Sequence, residues 1–374
     1  MRTSAERAEE LLSSPDIYRN GELIRRLAER IGEAAEGPLN IMEVCGGQTF
    51  ALVRYRLEEF LPEHVKMIHG PGCPVCVTPT HVIDMATALA ERNDVTLCSF
   101  GDMLRVPGSN SSLLRAKAGG ADVRILYSPL DALKLAKKMP GRQVVFLAIG
   151  FETTTPGYAL MIEKAIQAGL DNLSLLTSLF TVPGAVRALK QDPECRIDVL
   201  LAAGHVCAIT GVRPYEVMAR ELKMPTVVTG FEPVDLMRGI LTGIEMANRK
   251  DNSVANDYGR VVATEGNKTA MEKVAKYFQP TAAKWRGLGV ILQSGMKIRD
   301  AYEHFDASVR FNLKDSCSHD EEQARGCIAH KIMKGLALPG DCPHFGGKCT
   351  PLHPTGAPMV SSEGVCAAHY RYRP

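Results

Sequence analysis

The sequence predicts an α/β protein: two parallel-sheet domains followed by a cysteine-rich segment. Three observations carry this. Short apolar runs alternate with stretches of helical periodicity from about residue 38 to 250. The tripeptide Gly-Phe-Glu occurs at 150–152 and again at 230–232, each time after an apolar run and before a helical pattern. Beyond Asp315 the chain becomes dense in Cys, Gly, Pro and His and poor in long apolar runs. Alternation of the first kind implies βαβ units and a parallel sheet.

The strand candidates are Asn40–Val44, Val65–His69, Val95–Phe100, Val123–Tyr127, Gln143–Ile149, Leu173–Phe180, Val199–Ala203 and Thr226–Thr229. Several are rich in Val, Ile and Leu with little polar alternation, as strands buried on both faces are. Between them lie helical patterns such as His81–Arg92, where Val82, Met85, Ala86 and Leu89 share one face and Thr78-Pro79 suits the N-cap and first turn. The repeated Gly-Phe-Glu places a join near residue 145, giving domains at 36–145 and 146–262, with a single large sheet as the alternative. Helical signals continue through Asn267–Gln279, and Trp285-Arg-Gly-Leu-Gly289 opens an irregular stretch. Residues 263–374 form the third unit, with the helical patterns of 1–35 (Ala5–Leu12 and Glu22–Glu36) packing on it. A segment so poor in core-formers needs something else to hold it, and a metal centre would do so.

Composition narrows the function. With 45% hydrophobic and 23% charged residues among 374, the chain reads as an ordinary soluble globular protein. Its 44 basic and 42 acidic residues are mixed along the chain, which leaves no basic stripe for nucleic acid. No run approaches the roughly 18 apolar residues of a membrane span, and the first residues lack the apolar core of a secretory signal. The expected location is the cytoplasm. In that setting eleven cysteines point to metal binding or redox chemistry rather than structural disulfides.

The cysteines fall into two groups. Cys45 ends a strand pattern and precedes Gly46-Gly47-Gln48-Thr49 and a helical run. A thiol at such a corner receives backbone N–H groups and the positive end of a helix dipole, both of which favour the thiolate. Cys73 and Cys76 lie in Gly70-Pro-Gly-Cys-Pro-Val-Cys-Val-Thr-Pro79, again between strand and helix. A C-x-x-C pair can share a metal ion or form a reversible disulfide, although it can also be incidental. Loops after parallel strands converge at the carboxyl edge, so Cys45, Cys73 and Cys76 can meet there, and three thiols suit a soft, low-spin iron. Cys98, Cys195 and Cys207 sit in ordinary surroundings and read as buried structural thiols.

The second group crowds the tail. Cys327, Cys342, Cys349 and Cys366 match the ligand count of a [4Fe–4S] cluster. Their spacing leaves zinc open, but zinc sites show tighter pairs, which tilts the choice to the cluster. Cys317 is left over, as a spare thiol or a redox partner.

Taken together, the segments resemble the HypD family of hydrogenase maturation proteins over essentially the whole chain. The matching stretches are Glu43–Thr49, Gly70–Pro79, Gly150–Pro156, Gly204–Val206, Gly230–Asp235, Trp285–Gly289, Asp341–Pro343, Phe345–Gly346, Cys349–Pro351 and Met359–Ala368. The resemblance implies two Rossmann-like domains, a third domain holding a [4Fe–4S] cluster, and partnership with the chaperone HypC and the cyanide donor HypE. It implies that Cys45 is the key ligand of the iron on which the Fe(CN)₂CO group of [NiFe] hydrogenase is assembled. The Cys73–Cys76 pair then lies beside Cys45, with the cluster moving electrons towards it. Three departures stand out: Gln48 replaces the usual His, and Ala329 and Pro358 stand where many relatives carry cysteines. Within this frame Glu152 and Thr153–Thr155 are candidates to hydrogen-bond cyanide nitrogens or, alternatively, to cap a helix. His205 and His69 are candidate proton donors or structural histidines, and Glu363 orients the cluster domain or lies near the cysteine loop. Two rivals remain: a cluster-dependent protein disulfide reductase and a zinc-stabilised interaction module.

Overall fold

The computed structural model describes residues 15–313 and 326–373. Cys317 and the helical pattern Ala5–Leu12 lie outside the described residues. All eight apolar runs form strands: β1 (Leu39–Glu43), β2 (Val65–His69), β3 (Val95–Ser99), β4 (Val123–Ile125), β5 (Gln143–Gly150), β6 (Leu173–Phe180), β7 (Val199–Ala203) and β8 (Thr226–Thr229). A short β9 (Val254–Asn256) and a hairpin of β10 (Phe278–Trp285) and β11 (Gly289–Ile298) complete the set.

The strands form two sheets. The first has the order β2-β1-β7-β8-β9 and is parallel throughout. The second has the order β10-β11-β6-β5-β3-β4; β4, β3, β5 and β6 are parallel, and the hairpin adds antiparallel to β6. Central strands are buried along their whole length, as in β3 and β7, because helices cover both faces. The protein is therefore α/β with two parallel-containing sheets.

Strand pairing does not follow a consecutive division of the chain. A join at residue 145 falls inside β5, and β1, whose other neighbour is β2, pairs with β7 rather than with a strand of the second sheet. The chain leaves the first sheet after β2, builds most of the second, and returns at β7. Similar apolar runs do not encode which of them become neighbours, so a boundary set by motif repetition missed this interleaving. The stretch from Trp285 to Gly289 is a hairpin turn, and Trp285 packs against Phe151 and Phe180 with centroids at 5.9 and 4.5 Å. Residues 278–298 thus belong to the second sheet and not to the tail.

The helix Gly21–Ala34 also differs from expectation. It packs on the helix Pro233–Asn248 of the first sheet, burying Ile24, Leu27 and Ile31, with Asn248 Nδ2 donating to the Ala34 carbonyl at 2.8 Å. Its apolar stripe meets the stripe of another amphipathic helix, whereas the tail offers little apolar surface. That tail consists of turns and short helices, chiefly Ala329–Met333 and Val365–Tyr372. Among the described residues no helix is long and apolar enough to cross a membrane.

Candidate functional site

In the first sheet the chain runs outward from β1 to β2 on one side and resumes with β7 on the other. The crevice outside such a switch point is where open α/β sheets bind ligands. Cys45 follows β1 and His205 follows β7, so the topology alone brings them to one crevice. Cys45 Sγ lies 3.7 Å from His205 Nδ1, and the His205 ring packs against Phe231 at 5.2 Å between centroids.

Cys45 is the N-cap residue of the helix Gly46–Arg54, in extended conformation. Its side chain makes no capping hydrogen bond, although the nearby backbone N–H groups of Gln48 and Gly47 favour the charged form of its sulfur. Burial nevertheless dominates and pushes the thiol far up; Glu43 and Glu363 add to the rise, while the two N–H groups oppose it. The backbone donors do favour the thiolate, but desolvation of the charged form outweighs them. Burial also lowers the His205 pKa, which keeps that imidazole neutral.

The Cys73–Cys76 loop follows β2, the neighbour of β1, and meets the Cys45 turn by direct backbone contact. Gly46 N–H donates to the Gly72 carbonyl at 3.1 Å. A Cβ on Gly72 would stand 2.1 Å from the Cys45 nitrogen, so only glycine allows this approach. Cys73 caps the short helix Pro74–Val77, its Sγ accepting the Cys76 N–H at 3.4 Å, and both residues are thiols. The Cys76 thiol is raised by burial and then by Cys73, Cys366 and Glu363.

The tail closes over this corner. A Cβ on Gly46 would stand 2.5 Å from Glu363 Cβ, which puts Glu363 directly on the Cys45 turn. Its carboxyl is raised by burial and by Asp102. Cys73, Cys76, Glu363 and Pro358 line one cavity. Cys327, Cys342, Cys349 and Cys366 line a second, with Ala329 and, again, Pro358. Pro358 is thus a wall common to both cavities. Thr355 N–H donates to Cys349 Sγ at 3.3 Å. Among the described residues no three His, Cys, Asp or Glu side chains converge closely enough to hold a single metal ion.

Other sequence-derived candidates are placed less centrally. Glu152 follows β5 of the second sheet; its Oε1 accepts Val182 N–H at 2.9 Å while the buried Oε2 has no partner. Burial raises this carboxyl to about 7. It neighbours Cys207 and Tyr215, and Tyr215 in turn feels the charge of Cys45. The hydroxyls of Thr154 and Thr155 donate to the Phe151 carbonyl at 3.1 and 3.0 Å, which spends them on the local turn. Gln48 is fully buried, and its Nε2 spans the carbonyls of Ala202 and Thr229 at 3.4 and 3.5 Å, while its Oε1 has no partner. Cys98, Cys195 and Cys207 are buried, and burial lifts Cys98 to about 12 and Cys195 to about 11. Sequence reasoning missed Glu43, whose Oε2 accepts the Cys45 N–H at 2.8 Å. Its signal was present: a carboxylate at the end of an otherwise apolar buried strand, two residues before the thiol.

The family described as HypD, hydrogenase formation hypA family, matches residues 22–373. The hydrogenase maturation factor HypD of Rhodobacter capsulatus is 45% identical over 93% of this chain and 93% of its own. That of Rhizobium leguminosarum bv. viciae is 44% identical over 96% and 94%, and that of Escherichia coli 43% over 96% and 97%. With near-complete coverage on both sides, the chain belongs to the HypD family of hydrogenase maturation factors.

Proposed function

We propose that this maturation factor holds a single iron, as cargo, on the Cys45 thiol while cyanide and carbon monoxide ligands are added to it. A HypC-type chaperone supplies a second thiol from its N-terminal cysteine, and a HypE-type protein supplies cyanide equivalents, in the cytoplasm. The observation that carries this reading is the convergence of Cys45, His205 and the Cys73–Cys76 loop at one switch point. Iron binding displaces the thiol proton, and the neutral His205 at 3.7 Å is positioned to take it up. The unpartnered Oε2 of Glu152 is a hydrogen-bonding group for a cyanide nitrogen, being a carboxyl raised to about 7.

The four tail thiols suit a [4Fe–4S] cluster. Sulfurs around one zinc lie about 3.8 Å apart, given bonds of about 2.3 Å at tetrahedral angles. The thiolates of a cubane each bind a different iron and stand wider, and four thiols line the one tail cavity. When bound, the cluster supplies electrons one at a time. Cys76 feels the charge of Cys366, which lines the tail cavity, so the thiol pair is a candidate to receive those electrons. Two electrons and two protons convert a Cys73–Cys76 disulfide to the two thiols present here.

Anaerobic Mössbauer spectroscopy of the protein bound to its HypC-type partner tests this. The expected result is cubane iron plus a low-spin mononuclear site that disappears in Cys45→Ala. Cubane iron alone in the unaltered complex would overturn the proposal.

A further inference from the structure

We propose that Glu43 is a positioning residue for Cys45, and that a run of charges, Glu43–His69–Glu58–Arg373, buried at the Glu43–His69 end and half-buried at the other, ties the Cys45 turn to the C-terminal helix carrying Cys366. The inference rests on Cys45 being the iron-holding thiol. Its starting point is register: β1 and β2 end side by side with Glu43 opposite His69. Both side chains are buried, Glu43 completely.

The donors around Glu43 are divided between its two oxygens. Oε2 accepts the Cys45 N–H at 2.8 Å; Oε1 accepts the Thr49 hydroxyl at 2.5 Å and faces His69 Nδ1 at 2.9 Å. His69 Nε2 lies 2.8 Å from Glu58 Oε1, and Glu58 Oε2 lies 2.6 Å from the Arg373 guanidinium. Arg373 directly follows the helix Val365–Tyr372, and His369 of that helix meets the His69 ring edge-on at 5.9 Å. With a carboxylate at each ring nitrogen, His69 must donate from both and is an imidazolium. Burial works against that charge, but the bonds to Glu43 and Glu58 outweigh it and carry the pKa to about 10. Burial likewise raises Glu58, yet His69 and Arg373 take it down to about 2. His369, lowered to about 4 by burial and by His69, adds no charge near neutrality. Two negative and two positive groups cancel, the condition under which buried charges are tolerated.

The consequence for Cys45 is directional. As an N-cap residue it has no side-chain cap of its own, and its N–H would otherwise lack an intrahelical partner. Fixing that N–H on a carboxylate anchored from behind sets the peptide plane, and hence where Sγ points relative to the Gln48 and Gly47 N–H groups. An amide cannot substitute. The Glu43→Gln side chain would present one oxygen and one NH₂, so either Cys45 N–H or the Thr49–His69 side would meet a donor.

The test compares the full-length, cluster-loaded protein with Glu43→Gln and His69→Gln under anaerobic conditions, titrated with ferrous iron. Loss of such supporting groups weakens metal binding by about 10- to 100-fold, and both variants are expected in that range. Cluster absorbance and far-ultraviolet circular dichroism stay unchanged. In the loaded complex with the HypC-type partner, the CO and CN infrared stretching bands shift, which a purely structural defect would not cause. Arg373→Met, at the far end, gives the same change to a smaller degree. Wild-type iron affinity and unshifted bands in Glu43→Gln overturn the proposal; should that variant not fold, the same result in His69→Gln does so. Retention of the mononuclear iron by Cys45→Ala would instead sink the assignment of Cys45, and this inference with it.

Discussion

The Cys45 corner and the cysteine tail both gather thiols, but by different physical means. At the corner, every thiol is fixed by regular structure: Cys45 ends β1, Cys73 and Cys76 follow the adjacent β2, and Gly46 and Gly72 lock the two turns together. Its residues belong to apolar clusters shared with the sheets. The tail thiols instead sit on turns and helix ends around a small apolar cluster of Cys349, Met359 and Ala367. Leu336, Leu338 and Leu352 of the tail are exposed. The corner is thus built on the sheets, while the tail has only a small apolar cluster of its own and otherwise buries Met333, Ala357 and Val360 against the clusters of the sheets.

The sharpest way to break that comparison is chemical. Cys45→Ala should reduce hydrogenase maturation in cells to background while the cluster's visible absorbance stays at the wild-type level. Full hydrogenase activity from that variant would end the role assigned to the corner. Next in size is Gly72→Ala, whose Cβ would lie 2.1 Å from the Cys45 nitrogen. Overpacking of that kind should cost about 3 kcal/mol in urea unfolding. The tail glycine Gly340 has nothing within 4 Å, so Gly340→Ala should change stability by less than about 0.5 kcal/mol. Equal effects would mean that the two regions are packed alike.

If the tail holds the proposed cluster, removing it should separate the regions further. After anaerobic chelation, limited proteolysis should cut within 326–373 while the sheets resist. The main unfolding midpoint should move by less than about 4 °C, the shift that roughly 1 kcal/mol produces in a larger domain. Cooperative loss of the whole fold would show that the corner also depends on the cluster.

A smaller effect concerns pH. His69 is raised from 6.5 to about 10, so its contribution is complete below 6.5 and is lost as pH rises towards 10. Glu58 is lowered from 4.5 to about 2, so its contribution is complete above 4.5 and is lost as pH falls towards 2. Urea midpoints should therefore fall between about pH 6 and about pH 9.5 in the wild type, and His69→Gln should narrow the gap to wild type at the higher pH. A constant gap would show that His69 is uncharged in the fold. The smallest expected effect is at Cys195, a buried thiol that belongs to neither group: Cys195→Ala should cost about 1 kcal/mol and leave maturation intact.

Much of this was legible because the signals are local. The alternation of Val-, Ile- and Leu-rich runs marked eight strands, and both glycine-flanked thiol turns were visible as breaks between strand and helix. Three things were not legible. The interleaved sheets depend on which strands pair, and strands buried on both faces carry similar apolar sequences. The hairpin β10–β11 hid because its edge strand is half exposed and rich in small and polar residues. The pairing of Glu43 and Glu58 with His69 was not legible, since sequence shows a charge without showing which distant charge it meets.

By itself the sequence determined the first eight strands, the thiol-bearing turns and the membership of the HypD family. These follow from periodicity, from glycine and proline placement, and from motif order along the chain. Only the tertiary structure decided that β7 lies beside β1, which puts His205 within reach of Cys45. It alone decided that the tail folds back onto Gly46, and that two carboxylates share one buried histidine. Each is a contact between distant parts of the chain, settled by the competition to bury apolar surface and to pair every charge carried inside with it.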